Sequence, residues 1–371
     1  MADKKIFLSS PTMHGEEQIY IKEAFDTNWV APLGANVDNF EKEMAQYVGV
    51  NHAAALVSGT SAIHLAVKLA GVKKDDIVFC SDLTFSATVN PVSYEHAKQV
   101  FIDSEYDTWN MSPEALEKAF EKYPQCKTVV TVHLYGTPAK IDEIKDICDK
   151  HGAILIEDAA ESLSAKHKGK QTGTFGKYGI LSFNGNKIIT TSGGGMLMSD
   201  EEDDIKKARF WSTQSRDPAP HYQHSEIGYN YRMSNIVAGI GRGQLIHLNE
   251  HRELKKVIYE RYRTELSNLP VKMNPYEECS EPNFWLSCMT IEDSTVAPEE
   301  IRIALDEHNI ECRPIWKPMH LQPVFADCDY INVNDCNVGS DIFERGLCLP
   351  SDIKMTADEQ MKVIEIIKSR F

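Results

Sequence analysis

From about residue 50 to residue 200, short apolar runs alternate with amphipathic stretches. AAALVS (53–58) is followed by SAIHLAVKLAGV (61–72), IVFCSDLTF (77–85) by ATVNPVSYEHA (87–97), and QVFID (99–103) by EALEKAFEKY (114–123). TVVTVHLY (128–135) then leads to KIDEIKDICDKHG (140–152) and AILIED (153–158). Strands continuous in Val, Ile and Leu that alternate with helices predict parallel pairing with both sheet faces covered, which is an α/β domain. Ligands of such sheets bind beyond the carboxyl ends of the strands, where Asp158 falls.

After residue 200 the pattern changes. Ser234 to Leu266 has helical spacing over many turns and a serine at its start, which predicts one long helix joining two domains. FWLSCMTI (284–291), PEEIRIALDEHNI (298–310), ECRPIW (311–316) and TADEQMKVIEIIKSRF (356–371) predict a small α+β domain. The expected division is a large domain over 1–245 and a small one over 246–371, a size split that 371 residues allow.

Charge and composition then exclude several classes of function. A formal net charge of −16, with no Lys/Arg stripe, argues against a nucleic-acid partner. Any anionic small ligand must therefore be met by local donors such as helix N-termini. No run of 18 uncharged apolar residues occurs and MADKKIFLSS lacks a signal-peptide core, so no membrane partner and a cytoplasmic location are expected. Nine cysteines without a Cys-x-x-Cys pair predict free thiols, with neither a disulfide framework nor a metal site.

The candidate chemistry concentrates in 154–195. Asp158 ends an apolar run, and Lys187 lies in Ser-Phe-Asn-Gly-Asn-Lys, which a triple glycine follows at 193–195. A lysine to bind an aldehyde and an acid to keep a ring nitrogen protonated are what an aldehyde cofactor needs. Apolar strands are expected on both sides of Lys187, so that burial lowers its proton affinity. Glu161 is one helical turn from Asp158. Ser58-Gly59-Thr60-Ser61 stands where a strand meets a helix, and Ser182 lies five residues before Lys187; both read as phosphate donors, with ordinary helix capping as the alternative for the first. Phe85, after another strand, is placed to stack on a flat ring, against the plainer reading of a core aromatic. Gly228-Tyr229-Asn230-Tyr231-Arg232 and the segment 312–320 are too rich in polar, basic and aromatic groups for neutral linkers. The latter reads as a rigid basic lip for an anionic substrate, or as a Pro-rich turn.

On SGTSAIHLA, EDAAESL, SFNGNKIITTSGGG and GYNYRMSN, in that order, the chain resembles the DegT/DnrJ/EryC1/StrS sugar-nucleotide aminotransferases over essentially its whole length. The resemblance implies a fold type I, aspartate aminotransferase-like architecture with pyridoxal 5'-phosphate as cofactor. It implies Lys187 as the lysine joined to the cofactor and Asp158 as partner of its ring nitrogen. Ser182, Thr60 and Ser61 would then be phosphate binders, Phe85 the stacking ring, and Asn230 a residue reaching the neighbouring subunit's cofactor in a homodimer. Glu161 stands where relatives often carry His or Gln. WVAPLG (29–34) and RPIWKPMHLQP (313–323) look most like enzymes that aminate C4 of UDP-2-acetamido-2,6-dideoxy-hexos-4-ulose, from L-glutamate, on the way to bacillosamine-type sugars. Asn28, Trp29, Asn186, Arg313, Trp316, Lys317 and His320 are the residues expected to meet that substrate. Another nucleotide sugar, or a noncatalytic sensory protein on the same scaffold, are the rival expectations.

Overall fold

The structure, a computed structural model, describes residues 4–293 and 295–371. In chain order the first strands are β1 (His52–Leu56), β2 (Ile77–Ser81), β3 (Lys98–Ile102), β4 (Thr128–Val132), β5 (Ile154–Asp158), β6 (Lys166–His167), β7 (Lys170–Gln171), β8 (Tyr178–Ser182) and β9 (Gly195–Ser199). They are followed by β10 (Val271–Met273), β11 (Ser280–Glu281), β12 (Ser287–Ile291), β13 (Arg313–Pro314), β14 (Asp329–Ile331) and β15 (Gly346–Leu349).

Eight of these form one sheet in the order β1-β9-β8-β5-β4-β2-β3-β14. Pairing is parallel from β8 through β14, and β9 alone runs antiparallel to both its neighbours. The expected α/β architecture is thus a mainly parallel sheet. Its strands are buried almost throughout, which is why they read as unbroken apolar runs and not as alternating ones. Helices cover both faces, with one apolar cluster around Ile63, Leu65, Phe101 and Ile180 and two others around Phe40 with Phe183 and around Phe79 with Phe120.

A second sheet, β10-β12-β15-β13, packs with the terminal helix Ala357–Lys368 around Met289, Leu347 and Ile364. The chain crosses the expected boundary at 245/246 twice. Ile6 bridges Ile310 and joins this second core, and β14 returns from the C-terminal part to the edge of the large sheet beside β3. A further cluster, with Tyr135, Trp285 and Ile315 among its members, joins the two layers.

Two expectations about local structure are corrected. The single helix over 234–266 is two helices, Asn235–Ile246 and Leu248–Glu265, broken at His247, whose ψ of 2° interrupts the helical path. Glycines 239, 241 and 243 let the first of them press against Tyr20, Phe40 and Glu17, so its course is set by the helices Glu16–Asp26 and Ala35–Val48. The residues after Lys187 form bends, although Ile188 and Ile189 are buried; the next strand begins only at Gly195.

Candidate functional site

Four parallel strands deliver their carboxyl ends to one side of the sheet, and the turns that leave β1, β2, β5 and β8 enclose a cavity of about 260 Å³ there. Ser58, Gly59, Thr60, Phe85, Asp158, Glu161, Ser182, Asn184, Asn186 and Lys187 line it from the large sheet. Trp285 and Trp316 close it from the side of the small sheet.

The end of β5 shows how a strand sorts its carboxylates. Glu157 and Asp158 are adjacent and both buried, but successive side chains point to opposite faces. Glu157 accepts from Gly173 N (2.9 Å), Phe175 N (2.6 Å) and Gly176 N (2.5 Å) and bonds His133 Nε2 (2.9 Å), so it is a structural anchor. Among the described residues Asp158 accepts from Thr88 Oγ1 (2.7 Å) and Ala160 N (3.1 Å), and it lines the cavity. Burial holds its carboxyl above the ordinary range, with Thr88 and Ala160 opposing.

Glu161 follows on the turn after β5. Its Oε2 accepts from Tyr135 N at 2.6 Å, an approach that places Tyr135 in the left-handed region at φ 52°. Its Oε1 lies 3.8 Å from Lys187 Nζ. Burial pushes the Glu161 carboxyl up to about 7 and lowers the Lys187 ammonium, so desolvation outweighs the attraction between them for both partners. Burial thus disfavours the charged form of each partner.

The helix Gly59–Leu69 points its N-terminus at the same space. Ser58 caps it in a capping box with Ser61, leaving the first amides of the helix without intrahelical partners. Gly195 permits the close approach, since a Cβ there would stand 2.2 Å from the Ser58 carbonyl carbon.

The expected site residues fall into two groups. Lys187, Asp158, Glu161, Ser182, Thr60, Phe85, Asn186 and Trp316 come together on the cavity. Ser61 does not: its hydroxyl donates to Ser58 O (2.7 Å) and is consumed by the cap. Asn230 is exposed and lies off this chain's cavity, its backbone bridged to Thr213. Arg313 is exposed and pairs with Glu311 at 2.8 Å; Lys317 is exposed and offers its carbonyl to Gln322. His320 is drawn away by Asp82, which accepts from its N (2.8 Å) and bonds its Nδ1 (2.7 Å), while its ring stacks on Tyr330. Asn28 and Trp29 are exposed, with Trp29 O accepting from Asn235. None of these seven lines the cavity. Trp285, whose ring centroid is 4.0 Å from Lys187 Nζ, and Thr88 carried no sequence signal: one sits in an apolar run and the other in an amphipathic one.

Among the described residues, two clusters of ligand-type side chains lie elsewhere: His14, His247 and Glu250, and His167, Glu277 and Cys279. His14 and His247 stack in near-parallel planes with ring centroids 3.7 Å apart.

The fit of the cavity to a phosphate-bearing aromatic aldehyde follows from its donor set. A buried amine, a desolvated carboxylate across from it, a capped helix N-terminus with two hydroxyls beside it, and an open Phe85 face meet each part of such a molecule.

The family model for the DegT/DnrJ/EryC1/StrS aminotransferase family matches residues 11–368. EpsN of Bacillus subtilis (strain 168), whose name describes a pyridoxal phosphate-dependent aminotransferase, is 54% identical over 99% of this chain and 96% of its own length. The GDP-perosamine synthase of Caulobacter vibrioides is 34% identical over 97% and 96% of the two chains. A solved DegT DnrJ EryC1 StrS aminotransferase from Brucella abortus superposes with a TM-score of 0.88 at 26% identity, covering 96% of this chain and 95% of that one.

Proposed function

The chain belongs to the DegT/DnrJ/EryC1/StrS aminotransferase family, and from that premise we propose that it transfers the amino group of L-glutamate to C4 of UDP-2-acetamido-2,6-dideoxy-hexos-4-ulose. It is a sugar-nucleotide aminotransferase of fold type I, and its cofactor is pyridoxal 5'-phosphate. The observation that carries amino-group transfer is the convergence of Lys187, Asp158 and Glu161 in one cavity at the strand ends.

When bound, pyridoxal phosphate supplies an aldehyde that takes an amine and a ring that withdraws electrons from the carbon losing its proton. Lys187 provides the amine that would hold it, and burial lowers the proton affinity of that amine towards the nucleophilic form. The free Lys187 Nζ would move the proton, first as base and then as acid. Asp158 keeps a ring nitrogen protonated through a charge-assisted hydrogen bond. Thr60, Ser182 and the first amides of the helix Gly59–Leu69 receive the phosphate. Glu161, whose carboxyl burial raises to about 7, stands 3.8 Å from Lys187 Nζ and would exchange a proton with it.

The UDP 4-keto sugar rests on the likeness of WVAPLG and RPIWKPMHLQP noted above, together with Trp316 on the cavity rim. The likeness to GDP-perosamine synthases favours a GDP 4-keto sugar as the second reading. A noncatalytic sensory role is disfavoured by the intact lysine and acid. The homodimer is supported by the exposed apolar side chains of Tyr222 and Ile227, near Asn230 in sequence, and of Trp29 and Leu33. Among the described residues no helix is long and apolar enough to cross a membrane, and a cytoplasmic location is part of the proposal. The test is mass spectrometry of products from a panel of UDP-, GDP- and TDP-linked 4-keto and 3-keto sugars with glutamate. Amination of the UDP 4-keto substrate at the highest kcat/KM is expected; preference for a GDP sugar would replace this reading by the second.

A further inference from the structure

Lys187 is held in an unusual way. Among the described residues its Nζ makes no hydrogen bond; it lies 4.0 Å from the ring centroid of Trp285, with Glu161 Oε1 at 3.8 Å. The same indole donates its Nε1–H to Asn186 O at 2.7 Å, the carbonyl just before Lys187. His251 Nδ1 donates to Ile188 O, just after it, at 2.8 Å. The carbonyls one residue before and one residue after the lysine are thus fastened by residues remote in sequence.

Trp285 is itself fixed. Its carbonyl accepts from the buried Lys255 Nζ at 3.0 Å, which also donates to Ser351 O at 2.9 Å. Its N–H donates to Asn283 Oδ1 (2.9 Å), and Asn283 Nδ2 donates in turn to Glu161 O (2.7 Å). The segment 283–285 therefore ties the turn carrying Glu161 to the turn carrying Lys187. A π face attracts a cation without accepting a hydrogen bond from it. It steadies the ammonium, yet leaves the lone pair of the neutral amine unclaimed.

We propose that Trp285 is the positioning residue of Lys187: one indole fixes the lysine's turn through Nε1–H and holds the amine through its π face, setting the amine's orientation and proton affinity. The proposal rests on Lys187 being the amine that takes the cofactor. Loss of the π face removes a preference for the charged form, so proton affinity falls. Loss of Nε1–H alone loosens the turn and leaves proton affinity nearly unchanged.

The test uses full-length protein with added pyridoxal phosphate, trapping the covalent link with borohydride at timed intervals over a series of pH values and locating it by peptide mass spectrometry, so that the pH profile of the rate of link formation gives the midpoint for the free amine. For Trp285→Leu the expected result is a titration midpoint lower by about one pH unit and a roughly tenfold slower link formation. Trp285→Phe, which keeps a ring and is the smaller perturbation if the leucine variant fails to fold, should slow the link while moving the midpoint by less than half as much. In a Lys187→Ala background, Trp285→Phe should leave noncovalent cofactor binding within twofold, which separates positioning from general damage. Unchanged rate and midpoint in the folded variants, or a loss of noncovalent binding as large as the loss of rate, overturns the proposal. A trapped link on any residue other than Lys187 overturns the reading beneath it.

Discussion

The cavity at the strand ends and the segment 313–320 were both built from polar and aromatic residues that looked capable of binding a ligand, yet only the first converges. Residues in the turns after β1, β5 and β8 have their directions fixed by a packed sheet, so Thr60, Asp158, Glu161 and Ser182 arrive at one place together with Lys187. In 313–320 the side chains obey local partners instead. Arg313 turns to Glu311, His320 to Asp82, and only Trp316 remains on the cavity, its N–H donated to Tyr135 Oη at 3.0 Å. A sheet end gathers residues because its geometry is imposed from outside the loop; a Pro-rich segment answers to whichever neighbour is nearest.

Substitutions can break this contrast. The largest effect is expected for Lys187→Ala, which should lower turnover by at least about 10⁴-fold while cofactor still binds noncovalently, as equilibrium dialysis would show. Asp158→Asn should cost roughly 10²–10³-fold in kcat with fold intact by circular dichroism, because the charge that holds a ring nitrogen protonated is gone.

Lys255 sharpens the comparison from the small-sheet side. Burial lowers its ammonium to about 8, below the value near 10.4 of an unfolded chain. Between those values the unfolded state binds more protons, so this group makes stability rise with pH from about 8 to 10.5, by roughly 3 kcal/mol in all. Denaturant titrations across that window should show the rise in the wild type, diminished in Lys255→Met. If the two profiles run parallel, the lysine is charged and hydrated in the folded protein.

Smaller effects test the lip itself. Trp316→Ala should raise the KM for the nucleotide sugar about tenfold, whereas Arg313→Ala and Lys317→Ala should stay within about threefold. A large loss in either of the latter would mean that the lip rearranges to meet substrate. Ser61→Ala should cost about 1 kcal/mol of stability through its helix cap and leave cofactor affinity nearly unchanged. Weaker cofactor binding at unchanged stability would restore Ser61 to the phosphate site.

The sequence by itself determined the layered α/β fold, because strands buried on both faces must be continuously apolar and those runs are visible without coordinates. It also singled out Asp158, which ends a strand, and Glu161 and Lys187, which lie in the turns that follow β5 and β8, since residues at or just beyond a strand end take their direction from it. What the tertiary structure alone decided were the partners that come from far along the chain. Trp285 lies 98 positions beyond Lys187 and Thr88 lies 70 before Asp158, and neither carries a local signal. The break at His247 and the return of β14 to the large sheet were equally hidden, because close packing of glycine faces and edge pairing depend on surfaces contributed by other segments. Periodicity reports which face of an element is buried; only the assembled fold reports against what.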